Sequence, residues 1–179
     1  MKIDTNDILN SILNSLDHVD YIRPEEIPNI DLYILTKTMI NNYTKNNLLP
    51  PSVKKKYSRE HMLLLILIYY FKNILSIKDI ETVLEPLREK YFSTDSALQL
   101  SDIYREVCEM EKSRIEPMKA SVREAYGKAQ SSFENVPDGE EKNELQLFTF
   151  LCSLSFDVYL KKMMIEKIID ELASKDKKE

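Results

Sequence analysis

Apolar residues recur at helical spacing through most of the chain, and this pattern predicts a protein built from helices. Over residues 8–16 five apolar positions form one stripe, and Asp4 and Thr5 are suitable capping residues just before it. We therefore expect a helix from Thr5 to about Asp20. Over residues 23–28 two prolines each disfavour the α conformation in the residue before them, so we interpret that stretch as an extended connector.

A short helix is predicted next, with Thr36 as its N-cap and an end near Asn46. Its inner side carries Met39, Ile40 and Tyr43. Asparagine tolerates the left-handed conformation that often ends a helix, so the pair at 46–47 predicts the stop.

Two further caps predict two further helices. Ser58 begins a helix that we expect to reach about Leu75, and its middle, residues 62–71, is apolar on every side, as in the central buried helix of a domain. Ser76 begins the next helix, with Asp79 as a capping-box-like partner, and Pro86 is expected to end it.

The second half of the chain predicts a helical hairpin. Residues 98–135 follow a roughly heptad apolar pattern, with Pro117 expected to kink the helix, and residues 140–173 carry a second long apolar pattern. The turn at 137–139 joins them, and the tail at 174–179 is expected to fray. The apolar stripe of the hairpin must be buried against the first domain, a second subunit, or both.

Composition excludes several classes of protein. Only 2 glycines are present among 179 residues, so Gly-rich phosphate loops and dinucleotide fingerprints are excluded, and β-rich folds are disfavoured. The share of hydrophobic residues, 43%, excludes disorder throughout the chain. The first ten residues lack the basic-then-apolar order of a signal peptide. The longest apolar run is 10 residues, about half of what spans a bilayer. We therefore expect a soluble, cytoplasmic protein with no membrane partner.

No catalytic or metal-binding constellation is visible. The two cysteines, Cys108 and Cys152, are far apart, and neither histidine, His18 nor His61, is near them, so we expect two buried, reduced thiols and no metal. His61 is expected at the surface or the edge of the core. We predict neither an enzyme nor a cofactor.

The charge is distributed unevenly. Residues 34–78 hold eight basic residues and one acidic residue, a net charge of +7, whereas the remainder carries −12, giving −5 in total. One basic face on an acidic body is typical of a protein that binds a polyanion, although solvated lysines can also cluster by chance.

Residues 35–51 resemble the recognition helix and wing entry of MerR-like regulators, with a helix leading into a Leu-Leu-Pro turn. The lysine triplet at 54–56, the Tyr-Ser step at 57–58 and the buried helix after it are similar to the rest of that layout. The resemblance implies a small winged helix-turn-helix domain that binds DNA, followed by dimerising helices.

Residues 28–87 are also similar to an uncharacterised family, a domain of unknown function found mainly in Gram-positive bacteria and presumed to bind DNA. One feature departs from that pattern, because seven residues between Pro28 and Thr36 are too few for the first helix of a helix-turn-helix. That helix is absent, or residues 5–20 replace it, or a stretch is missing from the sequence.

We therefore predict an all-α protein with an N-terminal helix and connector (residues 1–33), a MerR-like winged helix domain (34–90) and a helical hairpin for dimerisation or effector binding (91–179). The expected function is transcription regulation by a homodimer that binds duplex DNA, with no effector identified. The expected DNA-binding residues are Lys37, Thr38, Asn41, Asn42, Lys45, Lys54, Lys55, Lys56 and Arg59. The alternative is a helical protein-interaction module whose basic patch meets an acidic protein or the acidic half of its own chain.

Overall fold

The described residues of a computed structural model are 5–17, 36–54, 56–92 and 97–175, and they form helices with no strand. This confirms the predicted all-α class for that part of the chain. The predicted end of the first helix at 18–20 and the connector at 23–28 lie outside the described residues. The helices are α1 (Thr5–Asp17), α2 (Lys37–Lys45), α3 (Arg59–Phe71), α4 (Ile77–Tyr91), α5 (Leu100–Gln130) and α6 (Glu140–Lys175).

The three middle helices begin at the predicted caps. Thr36 Oγ1 accepts a hydrogen bond from the backbone N–H of Met39 at 3.2 Å. Ser76 forms a reciprocal capping box with Asp79, as the sequence predicts. Ser58 also forms a capping box, and its partner is the His61 ring, whose Nδ1 accepts from the Ser58 N–H at 3.0 Å.

Two predicted helix ends differ from the structure. α3 ends at Phe71 rather than Leu75, because the side chain of Asn73 donates to the Tyr69 carbonyl at 3.3 Å and the chain then turns. α4 continues through Pro86 to Tyr91. Pro86 lies on the exposed side of α4. Because proline has no backbone N–H, one helical hydrogen bond is not formed, and the carbonyl left without it lies near solvent rather than in the core.

The chain divides into two compact units. Unit 2 contains Ile22–Cys108 and Met163–Glu179. In it α3 packs against α4, and residues 63–66 are at most 2% exposed, which confirms the prediction of a central buried helix. Other buried apolar residues of this unit are Leu48, Leu49, Ile68, Leu75, Ile80, Leu84, Leu100, Tyr104 and Ile169.

Unit 1 contains Met1–Tyr21 and Glu109–Lys162. Its core is Tyr126, Ala129 and Phe150, against which Leu9 and Ile12 of α1 pack. The Tyr126 and Phe150 rings meet edge to face at 5.4 Å. The predicted apolar stripe of α1 is therefore present, and α5 and α6 meet in this core near the turn that joins them.

A buried glutamine fixes the turn of the hairpin. Gln146 is 5% exposed, and its Nε2 donates to the backbone carbonyls of Gln130 and Ser132 at 2.6 and 3.1 Å. These carbonyls belong to the last residue of α5 and to the turn after it, so one side chain from α6 satisfies acceptors that the helix end leaves open.

The hairpin differs from the prediction in its details. α5 ends at Gln130, five residues before the expected end at 135, and α6 reaches Lys175 rather than residue 173. Cys108 is buried as predicted, but Cys152 is exposed, because it lies on a face of α6 that no described residue covers. Within the described part of the chain, no helix combines the length and apolar character needed to cross a membrane.

Candidate nucleic-acid interface

The outer face of α2 carries the predicted recognition residues. Lys37, Thr38, Asn41, Asn42 and Lys45 are all exposed. At about 100° per residue these five positions cover one side of the helix, while Met39, Ile40 and Tyr43 lie on the other and are partly or fully buried. The division into inner and outer faces is the one predicted from the sequence.

The two asparagines of this face differ in their hydrogen bonds. The amide of Asn46 donates from Nδ2 to Asn42 Oδ1 at 3.0 Å and to the Asn42 backbone carbonyl at 2.8 Å. No hydrogen bond joins the Asn41 amide to another described residue. Asn41 therefore offers both its donor and its acceptor to a ligand, whereas the acceptor of Asn42 is shared with Asn46.

The end of α2 anchors this face to the core. The N–H of Leu48 donates to the Tyr43 carbonyl at 2.9 Å, and the N–H of Asn47 donates to the Thr44 carbonyl at 3.3 Å. With Asn47 at φ 56°, this is a Schellman motif, and it confirms the predicted left-handed stop. Tyr43 is 4% exposed and Leu48 is fully buried. Burial raises the pKa of the Tyr43 hydroxyl, so this ring anchors the helix as a neutral group.

A tight turn follows where the sequence predicted a wing. The N–H of Lys56 donates to the Val53 carbonyl at 2.9 Å, which closes a single isolated antiparallel bridge rather than a pair of strands. Lys54 has φ 50°, so the turn holds a non-glycine residue in the left-handed region. Lys54 and Lys56 are exposed, and Lys55 lies outside the described residues.

The start of α3 lies directly after this turn. Arg59 is exposed in the first turn of α3. His61, two residues later, is 3% exposed and lies between the rings of Tyr57 and Phe92, with centroid distances of 5.4 and 4.8 Å. The surface alternative for His61 is therefore wrong, and its ring belongs to the core edge. Its Nε2 is buried with no hydrogen-bond partner in the described chain.

The basic side chains of this region are not neutralised within the described chain. No acidic group of a described residue lies within ion-pair distance of them, whereas lysines elsewhere, such as Lys112 and Lys128, pair with glutamates three or four positions earlier. The unpaired cations are Lys37, Lys45, Lys54, Lys56 and Arg59. Their charge is therefore available to an external anion.

That α1 replaces the first helix of a helix-turn-helix stays one of three open predictions. Its apolar stripe, including Leu9 and Ile12, packs in the core of unit 1. The helix α2 belongs to unit 2. The segment before Thr36, where that first helix would otherwise lie, is outside the described residues.

A cleft that the sequence does not predict lies beside the end of α2. It has a volume of about 430 Å³ and includes one cation and one anion from α4, Arg88 and Glu89. Its remaining lining comes from Thr44, Asn47, Leu49, Pro50, Pro51 and Phe92. The proline pair and the α2 stop were visible in the sequence, but their meeting with α4 depends on the tertiary fold.

Comparison with known families finds a match in the part of the chain that carries this surface. Residues 34–107 match the family described as Domain of unknown function (DUF1836). A domain of this family is thus found in the chain, which confirms the coarser part of the resemblance noted above. The match includes α2, α3, α4 and the start of α5. Searches of curated proteins and of solved structures gave no significant match.

Proposed function

We propose that this protein is a transcription regulator that binds duplex DNA as a homodimer, with α2 as the recognition helix. The observation that carries the proposal is the exposed outer face of α2, which combines base-reading amides with unpaired cations. The order of α2, the turn at 53–56, α3 and α4 also agrees with the layout expected of a MerR-like domain. The proposal assigns no catalytic residue.

The chemistry of the outer face suits the major groove of DNA. An asparagine amide can pair with the N6 and N7 edge of adenine, using one donor and one acceptor together. Asn41 has both groups available, so we assign it the base contact. Lys37 and Lys45 lie one turn before and after Asn41 on the same face, where they would contact flanking bases or phosphates.

The turn after α2 suits the phosphate backbone. Lys54 and Lys56 are exposed, and Arg59 follows within the same short segment. Phosphate contacts fix the position of a protein on the duplex, and each neutralised phosphate releases counterions. The predicted contact of Lys55 belongs to the same proposal.

The alternative is a module that binds an acidic protein surface through the same cations. Both functions depend on charge, so the presence of a basic patch does not separate them. Geometry favours DNA, because the cations flank a helix whose exposed centre is an amide rather than an apolar anchor, and protein interfaces are usually centred on buried apolar or aromatic groups.

Competition separates these two functions directly. A fluorescent duplex of mixed sequence is titrated with the full chain, and unlabelled duplex or polyglutamate is then added at equal total charge. We expect duplex to displace the label far more effectively, because α2 fits a groove that polyglutamate lacks. Equal displacement by polyglutamate, or no binding to the duplex at low salt, would contradict the proposal.

A matched pair of variants checks that α2 makes the contact. Asn41→Ala removes the proposed base contact, whereas Asn42→Ala alters a neighbour whose carbonyl is already used by Asn46. We expect Asn41→Ala to lower the preference for one sequence over another by roughly 10- to 100-fold, the range of a bidentate base contact. The Asn42→Ala variant is expected to lose less.

A further inference from the structure

The cleft beside the end of α2 lies within unit 2, and its apolar walls belong to fixed parts of the fold. Leu49, which is 1% exposed, follows the Schellman motif of α2, and Pro50 continues the wall. Phe92, the first residue after α4, supplies an aromatic wall, and its ring meets the buried His61 ring edge to face at 4.8 Å. The cleft is therefore preformed, and its volume of about 430 Å³ is typical of small-molecule sites, which span about 300–1,000 Å³.

Arg88 supplies a cation to this cleft, and most of its side chain is shielded from water. That side chain is 19% exposed, and its ion pair with Glu85 is long, at 3.9 Å between Nη2 and Oε1. This distance exceeds that of a hydrogen bond, and no hydrogen bond joins the Arg88 guanidinium to another described residue. A guanidinium has five N–H donors, and donors that are largely buried are normally paired. The donors of Arg88 are therefore available to an anion in the cleft.

Arg88 differs in this respect from another arginine of unit 2. The side chain of Arg105 is 53% exposed, and its Nη1 donates to the Asp102 carboxylate at 3.1 Å. Arg105 thus has both water and a carboxylate to satisfy it, whereas Arg88 has little of either. The contrast makes Arg88 the better candidate for a ligand contact.

The acidic residue of the cleft is in a different environment from Arg88. Glu89 is exposed, so bulk water solvates its charge. A charge that is shielded from water acts more strongly at short range than one in contact with bulk water. Arg88 therefore determines the sign of the ligand charge, and Glu89 weakens that preference without reversing it.

We propose that this cleft binds a small organic acid, with its carboxylate on Arg88 and its apolar body against the apolar walls. A carboxylate accepts two parallel N–H bonds from one guanidinium, which gives the contact both strength and direction. Thr44 and Asn47 line the cleft at the end of α2 and add polar groups for a further oxygen of the ligand. None of the lining residues is among the predicted DNA-binding residues, so this site goes beyond the proposed function and its test uses no DNA.

The chain has no tryptophan, which allows an optical test with an indole probe. The probe is indole-3-propionate, whose fluorescence is excited at a wavelength that tyrosine does not absorb. We expect its emission to move to shorter wavelength as the full chain is added, because the indole leaves water for the apolar walls. Two matched probes carry the same ring: indole-3-propionamide is uncharged, and tryptamine has the opposite charge.

The acid is expected to bind roughly 10- to 100-fold more tightly than the amide, which is the usual gain from a hydrogen bond to a charged group. Tryptamine is expected to bind most weakly. Equal binding of the acid and the amide, or tightest binding of tryptamine, would overturn the proposal. An unchanged emission of the acid up to its solubility limit would overturn it as well.

Two neighbouring substitutions are expected to act in opposite directions on the acid. Arg88→Gln removes the cation, so the acid should then bind no better than the amide. Glu89→Gln removes a nearby negative charge, so the acid should bind roughly a few-fold more tightly at low salt. Because Glu89 is exposed, this second variant is expected to keep its fold. Weaker or unchanged binding of the acid to Glu89→Gln would contradict the placement of its carboxylate.

Arg105→Gln is the matched control, because it removes the same charge from unit 2 at a residue that does not line the cleft. We expect this control to bind the acid as the native chain does. An equal loss in Arg105→Gln and Arg88→Gln would overturn the proposal. Undiminished binding of the acid to Arg88→Gln, with helical circular dichroism retained, would also show that the cleft is not the site.

Discussion

Removing two lysines from the turn at 53–56 tests the proposed phosphate contacts quantitatively. The variant carries Lys54→Gln and Lys56→Gln, which keep both side chains polar and nearly as long while removing their charge. Lys54 and Lys56 are exposed and form no ion pair with a described residue, so we expect the fold to be retained. Glutamine also avoids introducing a β-branched side chain at φ 50°.

The expected loss follows from counterion release. Each neutralised phosphate adds about 0.9 to the slope of log affinity against log salt concentration, so losing two contacts lowers that slope by about 1.8 per copy. If the counterion contribution vanishes near 1 M salt, the same two contacts are worth about 60-fold in affinity per copy at 0.1 M, or about 2.5 kcal/mol. The five unpaired cations of the described residues together contribute at most about 4.5 to this slope per copy, and a contact by Lys55 would add about 0.9.

Fluorescence anisotropy with a labelled duplex, between about 50 and 200 mM salt, measures both quantities. The matched control replaces Lys112 and Lys128 with Gln, because these lysines are exposed in unit 1 and already paired with Glu109 and Glu124 at 2.6 Å. The control has the same net charge as the test variant. Equal slopes for the native chain and the test variant, or an equal loss in the control, would refute the assignment of the turn to phosphate binding.

Other predictions concern stability and ionisation. Asn47→Ala should destabilise the fold by about 1 kcal/mol in urea unfolding because alanine is disfavoured at φ 56°, whereas Asn47→Gly should be neutral or stabilising; equal effects would contradict the Schellman account. Phe150→Ala should cost about 3–5 kcal/mol, because the residue is 1% exposed in the core of unit 1, and a loss below 1 kcal/mol would contradict that packing. The hydrogen bond from Lys142 to Asp138 at 2.8 Å lowers the pKa of the Asp138 carboxyl, so Lys142→Gln should raise that pKa in an NMR titration. The stabilisation from this pair is present at neutral pH and is lost as the pH falls through the lowered pKa; an unchanged pKa would exclude the interaction.

The sequence predicts helix starts more reliably than helix ends in this chain. Thr36, Ser58 and Ser76 were identified as caps because their hydroxyls satisfy N–H groups within three residues, which is a local effect. The end of α3 depends instead on the Asn73 side chain competing for a backbone carbonyl. The passage of α4 through Pro86 depends on which side of the helix faces solvent, and a proline by itself does not reveal that.

The exposed side of the candidate interface was predictable because α2 is clearly amphipathic. Its inner and outer faces follow from the spacing of Met39, Ile40 and Tyr43. The capping role of His61 was not predictable, since histidine is an unusual partner in a capping box. The exposure of Cys152 was also missed, because α6 is apolar on most sides and its pattern does not tell which side is covered.

The DNA-binding claim is tested most directly by selecting ligands from a random duplex library with the full chain. Titration of the best selected site at several salt concentrations then measures affinity and its salt dependence together. We expect a palindromic site, as a two-fold dimer requires, with affinity that falls steeply as salt rises. A library that stays random, with weak binding even at the lowest salt, would contradict it and favour an acidic protein partner for the basic face of α2.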